Sequence, residues 1–142
     1  MIVAFDLDGT LANIEHRLHY IKGEKKDWTG FFLASANDEP IAELIAVQRV
    51  LSVWHEVEIW SGRSDEVREM TVEWLKRHGV SYTKLRMRKA GDYRVDWQVK
   101  EEWLLALPAH KRPSLAFDDR QQVVDMWRRN GIRCAQVAQG DF

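Results

Sequence analysis

Asp6 and Asp8 stand two residues apart, directly after the apolar run Ile2-Val3-Ala4-Phe5 and directly before Gly9 and Thr10. Two carboxylates at this spacing, just past a strand, face one site if the backbone turns sharply, and Gly9 permits that turn. A bare Asp-x-Asp-Gly also suits a calcium loop, but the later ligands of an EF-hand are missing and a strand precedes the pair, not a helix. Further down the chain come Ser61, a hydroxyl donor for a phosphoryl oxygen, then Lys100, then the acid pair Asp118-Asp119. Four carboxylates beside a phosphate dianion need compensation. Each like-charge contact at about 4 Å costs about 4 kcal/mol at an effective dielectric of about 20. A divalent cation, Lys100 and a raised pKa on Asp8 would offset this repulsion. Magnesium suits oxygen ligands and phosphate substrates.

The elements that must position these residues are legible. Ile2 to Phe5, Val57 to Trp60 and Leu115 to Phe117 are short, wholly apolar runs that end in Asp6, Ser61 and Asp118-Asp119. Such runs predict central parallel strands covered on both faces. Arg133 to Val137 predicts a last strand, and the alternation from Thr83 to Met87 predicts an edge strand, with Lys84 and Arg86 on its wet face and Lys89 just beyond. Helices fall between. Pro40 suits a first helical position before Ile41, Leu44, Ile45 and Leu51. Ser64 suits an N-cap followed by Asp65 and Glu66, with Val67, Met70, Trp74 and His78 inward and Gly79 as the stop. Trp97 to Leu107 and Gln121 to Asn130 predict two more, the latter with Val123, Val124 and Trp127 inward before Gly131. Alternating strands and helices predict a three-layer α/β fold with a parallel sheet, whose ligands bind at the carboxyl ends of the strands. Residues 12–38 fit no core element and predict a small cap over the site.

The chain has 142 residues, 45% of them hydrophobic, with a net charge of -1, which predicts one domain of residues 1–142 and no general nucleic-acid field. The single cysteine, Cys134, excludes an internal disulfide and lies where a core residue is expected. No apolar run approaches the ~20 residues of a spanning helix, and no leader precedes Ile2, so a soluble, cytoplasmic protein without a membrane partner is expected. His16, His19 and His55 lack the spacing of a metal site. Of the seven tryptophans, Trp60, Trp74, Trp103 and Trp127 fall in core patterns. Trp28, Phe31 and Phe32 fall in the cap, as a local hydrophobic cluster or as a surface for stacking bases.

Taken in order, Asp6-Leu7-Asp8-Gly9-Thr10, Ser61, Lys100 and Asp118-Asp119 resemble the four motifs of the haloacid dehalogenase (HAD) phosphatases. That resemblance implies a Rossmann-type sheet and an aspartyl-phosphate on Asp6. It implies proton transfer by Asp8, phosphate neutralisation by Ser61 and Lys100, and Mg2+ held by Asp6, Asp8 (through its carbonyl), Asp118 and Asp119. A closer resemblance runs along nearly the whole chain. Phe117 to Arg129, the ending Gln136 to Phe142, Ser61-Gly62-Arg63, and Arg88, Gly91-Asp92, Arg94, Asp96 and Lys100 are similar to the 3'-phosphatase half of phage polynucleotide kinase-phosphatase. Arg17, eleven residues after Asp6, matches an arginine used there near the phosphate. This implies phosphate-binding roles for Thr10, Arg17, Gly62, Arg63 and Arg88, and an orienting role for Asp96, one helical turn before Lys100. A phosphate-binding kinase loop is missing, so kinase activity is not expected. The segment 15–37 departs from the family, which leaves the substrate open between a nucleic-acid 3' end and a free nucleotide. A receiver domain holding a long-lived aspartyl-phosphate is the reading from another class, and the position of the acid pair after the first strand argues against it.

Overall fold

A computed structural model describes residues 1–140 and 142; Asp141, in the ending quoted above, lies outside the described residues. Five parallel strands form one sheet in the order β5-β4-β1-β6-β7. They are β1 (Ile2–Phe5), β4 (Glu56–Ser64), β5 (Lys84–Arg88), β6 (Leu115–Arg120) and β7 (Arg133–Gly140). β1 is central, as its unbroken apolar run requires, and β5 lies at an edge, where its alternating burial leaves Lys84 exposed.

The side chains of each strand divide between two cores. Val3, Phe5, Val57, Ile59 and Leu85 point to the face covered by α2 (Ala42–Trp54) and α3 (Arg68–Arg77), where Ile45, Trp74 and Leu75 meet them. Ala4, Trp60 and Ala116 point to the other face, under α4 (Asp96–Ala106) and α5 (Gln121–Arg129), against Leu104, Val123 and Trp127. This period of two, sealed by helices on both sides, is the three-layer arrangement expected of apolar parallel strands. Trp60 packs edge-on against Trp103 and Trp127, so all three belong to the core pattern read for them.

Residues 12–40 leave the sheet and return to the same place. β2 (Ala12–Asn13) pairs antiparallel with β3 (Glu39–Pro40) and closes the base of the excursion. Between them lie a 3-10 helix (Glu15–Tyr20), the short helix α1 (Trp28–Leu33) and a second 3-10 turn (Ala34–Asn37). Ile14, Ile21 and Phe31 form a small core of their own there. Pro40 therefore does not open α2: it is a strand residue, and Ile41 precedes the first helical residue. Pro40 tolerates that position because its missing N–H leaves only a short edge ribbon unpaired.

Cys134 is half-buried and not fully enclosed, because β7 is an edge strand. Burial nonetheless pushes its thiol up to about 12, with Asp118 acting in the same direction. The thiolate is the reactive form, so alkylation at pH 8 is expected to run on the order of a hundredfold slower in the folded protein than in urea. Comparable rates in the two states would show the thiol to be accessible and unperturbed.

Candidate active site

The carboxyl ends of β1, β4 and β6 bring together the residues singled out by the sequence. Asp6 follows β1, and its backbone N–H donates to the Phe117 carbonyl at 2.9 Å, which locks it beside β6. One Asp6 oxygen accepts from Lys100 Nζ at 2.7 Å and the other from Thr10 Oγ1 at 3.3 Å. Lys100 is fully buried in α4 and also reaches Asp118 at 3.0 Å and Asp96, one turn earlier, at 3.5 Å. Thr10, read as a phosphate ligand, thus holds Asp6 in this structure.

Burial pushes the Asp6 carboxyl well up; Lys100 opposes this, while Asp118, Asp119 and Asp96 add to it. Burial lifts Asp118 as well, and Asp119 to about 7, with Asp118 adding to the latter. The same surroundings act in reverse on Lys100: burial alone would lower it, but Asp118, Asp6 and Asp96 carry it well above its usual value. One ammonium among four carboxylates leaves the cluster strongly electronegative.

Asp8 behaves otherwise. The backbone turns just after it, at Gly9 with φ of 83°, and its carboxylate meets two arginines. Asp8 Oδ1 accepts from Arg17 and from Arg63 Nε, each at 2.8 Å. Burial pushes its carboxyl up, but Arg17 and Arg63 outweigh burial and hold it at about 2. This corrects the expectation of a raised pKa on Asp8. That expectation placed all four acids in one field, whereas the arginines give Asp8 a field of its own.

Arg17 and Arg63 are fully buried, and a second carboxylate, Asp38, joins them from the other side. Asp38 accepts from Arg17 at 2.8 and 2.7 Å, from Arg63 at 2.9 Å, and pairs with His16 at 2.7 Å. Arg63 also donates to Thr71 at 3.2 Å, and Trp74 donates to the Asp38 carbonyl at 2.9 Å. Both arginines expected at the phosphate are thus engaged behind Asp8, off the cavity wall. The sequence reading missed Asp38. Its signal was weak: a buried arginine demands a buried acid, but Asp38 lies 21 residues from Arg17 with no motif linking them.

Ser61, Gly62 and Arg63 lie in a bulge of β4, where the register with β5 shifts between Ser61 and Ser64. The bulge aims the buried Ser61 hydroxyl inward, where Ser61 Oγ accepts from the Arg63 N–H at 3.2 Å and keeps its own proton free to donate. Gly62 allows Asp96 to approach: a Cβ there would fall 2.3 Å from Asp96 Oδ1. Arg88, at the end of β5, donates to the carbonyls of Gly62 at 2.7 Å, Asp92 at 3.0 Å and Arg94 at 2.6 Å, which fastens the loop 89–95 to the site. Asp6 and Asp8 open into a cavity of about 590 Å³, bounded by α1, this loop and Arg120.

The family described as the polynucleotide kinase PNKP phosphatase domain matches residues 1–142. The chain belongs to this family. It is a HAD-type phosphatase domain, and the expected resemblance to polynucleotide kinase-phosphatases holds along its length. It is similar to solved chains of a Pnkp1/Rnl/Hen1 RNA repair complex, at 33% identity over 99% of this chain, with TM-scores of 0.85 and 0.84. It spans under half of those chains, 43% and 47%. A haloacid dehalogenase-like hydrolase from Streptococcus pneumoniae shares the fold at 13% identity, covering 95% of this chain and 83% of its own, with a TM-score of 0.63. L-2-haloacid dehalogenase from Xanthobacter autotrophicus does so at 14% identity, covering 96% and 76%, with a TM-score of 0.60.

HAD phosphatases generally use a divalent metal, and the residues of this PNKP-type domain suit one. Oxygens of Asp6, Asp118 and Asp119 lie within 4.8 Å of one another. Asp119 Oδ1 is buried without a hydrogen-bond partner, one of three such side-chain atoms among the described residues. Asp119 fits there only because its neighbours lack side chains: a Cβ on Gly9 or Gly140 would fall 2.2 or 1.9 Å from its Oδ2. An orphaned carboxylate oxygen in an electronegative cluster of oxygen ligands is the donor set that Mg2+ prefers.

Proposed function

We propose that this domain is a magnesium-dependent phosphomonoesterase that works through an aspartyl-phosphate on Asp6 and removes the 3'-phosphate from DNA or RNA ends. The observation that carries the chemistry is Asp6 itself: buried at the cavity floor, tethered by Thr10, and neutralised on one oxygen by Lys100. A carboxylate so fixed is placed for in-line attack. An Asp6 oxygen bonds to phosphorus as the bond to the 3' oxygen breaks, and the departing oxygen takes a proton that the phosphate monoanion brings in and Asp8 passes on. Asp8, held ionised by Arg17 and Arg63, then accepts a proton from the water that attacks the same phosphorus and releases it to solvent. Inorganic phosphate leaves and Asp6 is restored. Ser61 and Lys100 supply a hydroxyl and an ammonium to the charge on the transferring group. When bound by Asp6, Asp118, Asp119 and the Asp8 carbonyl, Mg2+ supplies positive charge for the phosphoryl oxygens.

Membership in the PNKP phosphatase family and the likeness to chains of an RNA repair complex support a nucleic-acid end as substrate. A second reading, hydrolysis of free nucleotides, draws support from a cavity of about 590 Å³, which has room for a whole nucleotide. No described helix is long and apolar enough to cross a membrane, which fits an encounter with substrate in solution.

Phosphate release is measured from a 3'-phosphorylated oligonucleotide, its 5'-phosphorylated counterpart and a nucleoside monophosphate, with Mg2+ and with EDTA. The 3' oligonucleotide is expected to lead in kcat/KM by at least roughly tenfold, a difference of about 1.4 kcal/mol. EDTA is expected to remove the activity. A lead for the monophosphate would transfer the same chemistry to free nucleotides, and full activity in EDTA would remove the metal from the proposal.

A further inference from the structure

We infer that the cavity beyond Asp6 holds the terminal nucleobase of the substrate, stacked on Trp28 of the cap and Tyr93 of the loop 89–95. This rests on the reading of the domain as a nucleic-acid phosphatase. The three cap aromatics do not share one role. Phe31 is 2% exposed, belongs to the small core with Ile14 and Ile21, and lies under the Arg17 guanidinium at 4.3 Å. It builds the cap. Trp28 meets Phe31 edge-on at 5.7 Å and tilts on Phe32 at 6.0 Å, yet remains 41% exposed on the cavity wall.

The second aromatic comes from a distant part of the chain. Tyr93 is 86% exposed on the same cavity, on a loop that is held in place. Arg88 fastens the loop through the Asp92 and Arg94 carbonyls, Asp65 accepts from the Ala90 N–H at 3.0 Å, and Asp92 accepts from the Arg94 N–H at 3.1 Å. A fixed loop has already met much of the ordering cost that binding would otherwise impose.

The charges on this wall narrow the ligand. The chain carries a net -1, yet Lys22, Lys26 and Lys89 gather around the cavity, with Lys26 Nζ 5.7 Å from the Trp28 ring centre. Exposed aromatic faces among lysines, above a phosphate site, suit a planar base on a strand whose neighbouring phosphates meet the lysines. A small aliphatic phosphate ester would use neither feature.

The test compares kcat/KM for a 3'-phosphorylated oligonucleotide and for its twin whose last nucleotide lacks the base. Wild type, Trp28→Ala, Tyr93→Ala and, as a control at the far end of α2, Trp54→Ala are measured. Wild type is expected to favour the base-bearing end by about tenfold, the range of base stacking on an aromatic side chain. That ratio is expected to fall toward one in Trp28→Ala and Tyr93→Ala and to persist in Trp54→Ala. If removal of Trp28 harms the fold of the cap, Tyr93→Ala decides, because its exposed side chain supports no packing. A wild-type ratio near one, or a ratio unchanged in Tyr93→Ala, overturns the inference and leaves 3'-end hydrolysis intact. Hydrolysis of glycerol phosphate with neither oligonucleotide cleaved overturns the 3'-end reading and this inference with it.

Discussion

Asp6→Asn is expected to lose phosphate release by on the order of 10^5-fold in kcat, the scale of removing a nucleophile from an assembled site. The amide keeps the shape of the side chain, and its oxygen still accepts from Lys100, but it offers phosphorus no carboxylate to attack with. The fold is expected to survive in full. Asp6 sits in a field that resists its ionisation, through burial and the nearby Asp118 and Asp119, so removing its charge relieves repulsion in the metal-free protein. The melting temperature of Asp6→Asn in EDTA should therefore match or exceed that of wild type. With Mg2+ the order should reverse, because wild type keeps the oxygen ligand that the amide replaces with a weaker one. Steady-state assays and two thermal melts check all three outcomes. Substantial retained turnover would sink the covalent route, and a collapsed fold in EDTA would contradict the electrostatic account.

Asp38→Ala should act mainly through Asp8 and should cost stability as well. Asp38 accepts from both buried arginines, so its loss leaves Arg17 and Arg63 with Asp8 as their only carboxylate among the described residues. Breaking a buried ion pair by removing one partner costs about 3–5 kcal/mol, which for a chain of this length lowers Tm by roughly 10–20 °C. The arginines then lose the anchor that holds them against Asp8, and kcat is expected to fall by on the order of a hundredfold, the scale of a catalytic group displaced by about 1 Å. Substrate meets the cavity wall and not Asp38, so KM should move much less than kcat. Asp38→Asn keeps the acceptor geometry on one oxygen and loses the charge, so it should fall between wild type and Asp38→Ala in both readouts. Combined with Arg17→Ala, Asp38→Ala should cost clearly less than the sum of the two single changes, because each already breaks the same network. Wild-type Tm and kcat in Asp38→Ala would end the positioning role.

The sequence carried the layout of the candidate site because each part of it is local. Asp6, Asp8, Ser61, Asp118 and Asp119 sit on or just after apolar strand runs, and a parallel sheet must gather strand ends at one edge. Lys100 and Asp96 share a helix face by their spacing of four. Two helices shifted by at most one residue at either end: Trp97 to Leu107 became Asp96–Ala106, and Gln121 to Asn130 became Gln121–Arg129; the helix expected from Ser64 opens instead on a 3-10 turn, Asp65–Val67, that Ser64 caps, and becomes α-helical at Arg68. Those differences change no side chain at the site.

What the chain alone determined about this protein is its parallel sheet, the edge at which the candidate site forms and the identity of the acids gathered there, all of which follow from patterns a few residues long. Only the tertiary structure decided how those acids divide. It set Asp8 apart with Arg17, Arg63 and Asp38, left Asp6, Asp118 and Asp119 around Lys100, and placed one exposed cap tryptophan on the wall of the same cavity as a loop some sixty residues away in the chain. The reason is physical. Burial, ion pairing and pKa depend on which charges meet across the fold, and those meetings depend on distances in space that no local spacing encodes.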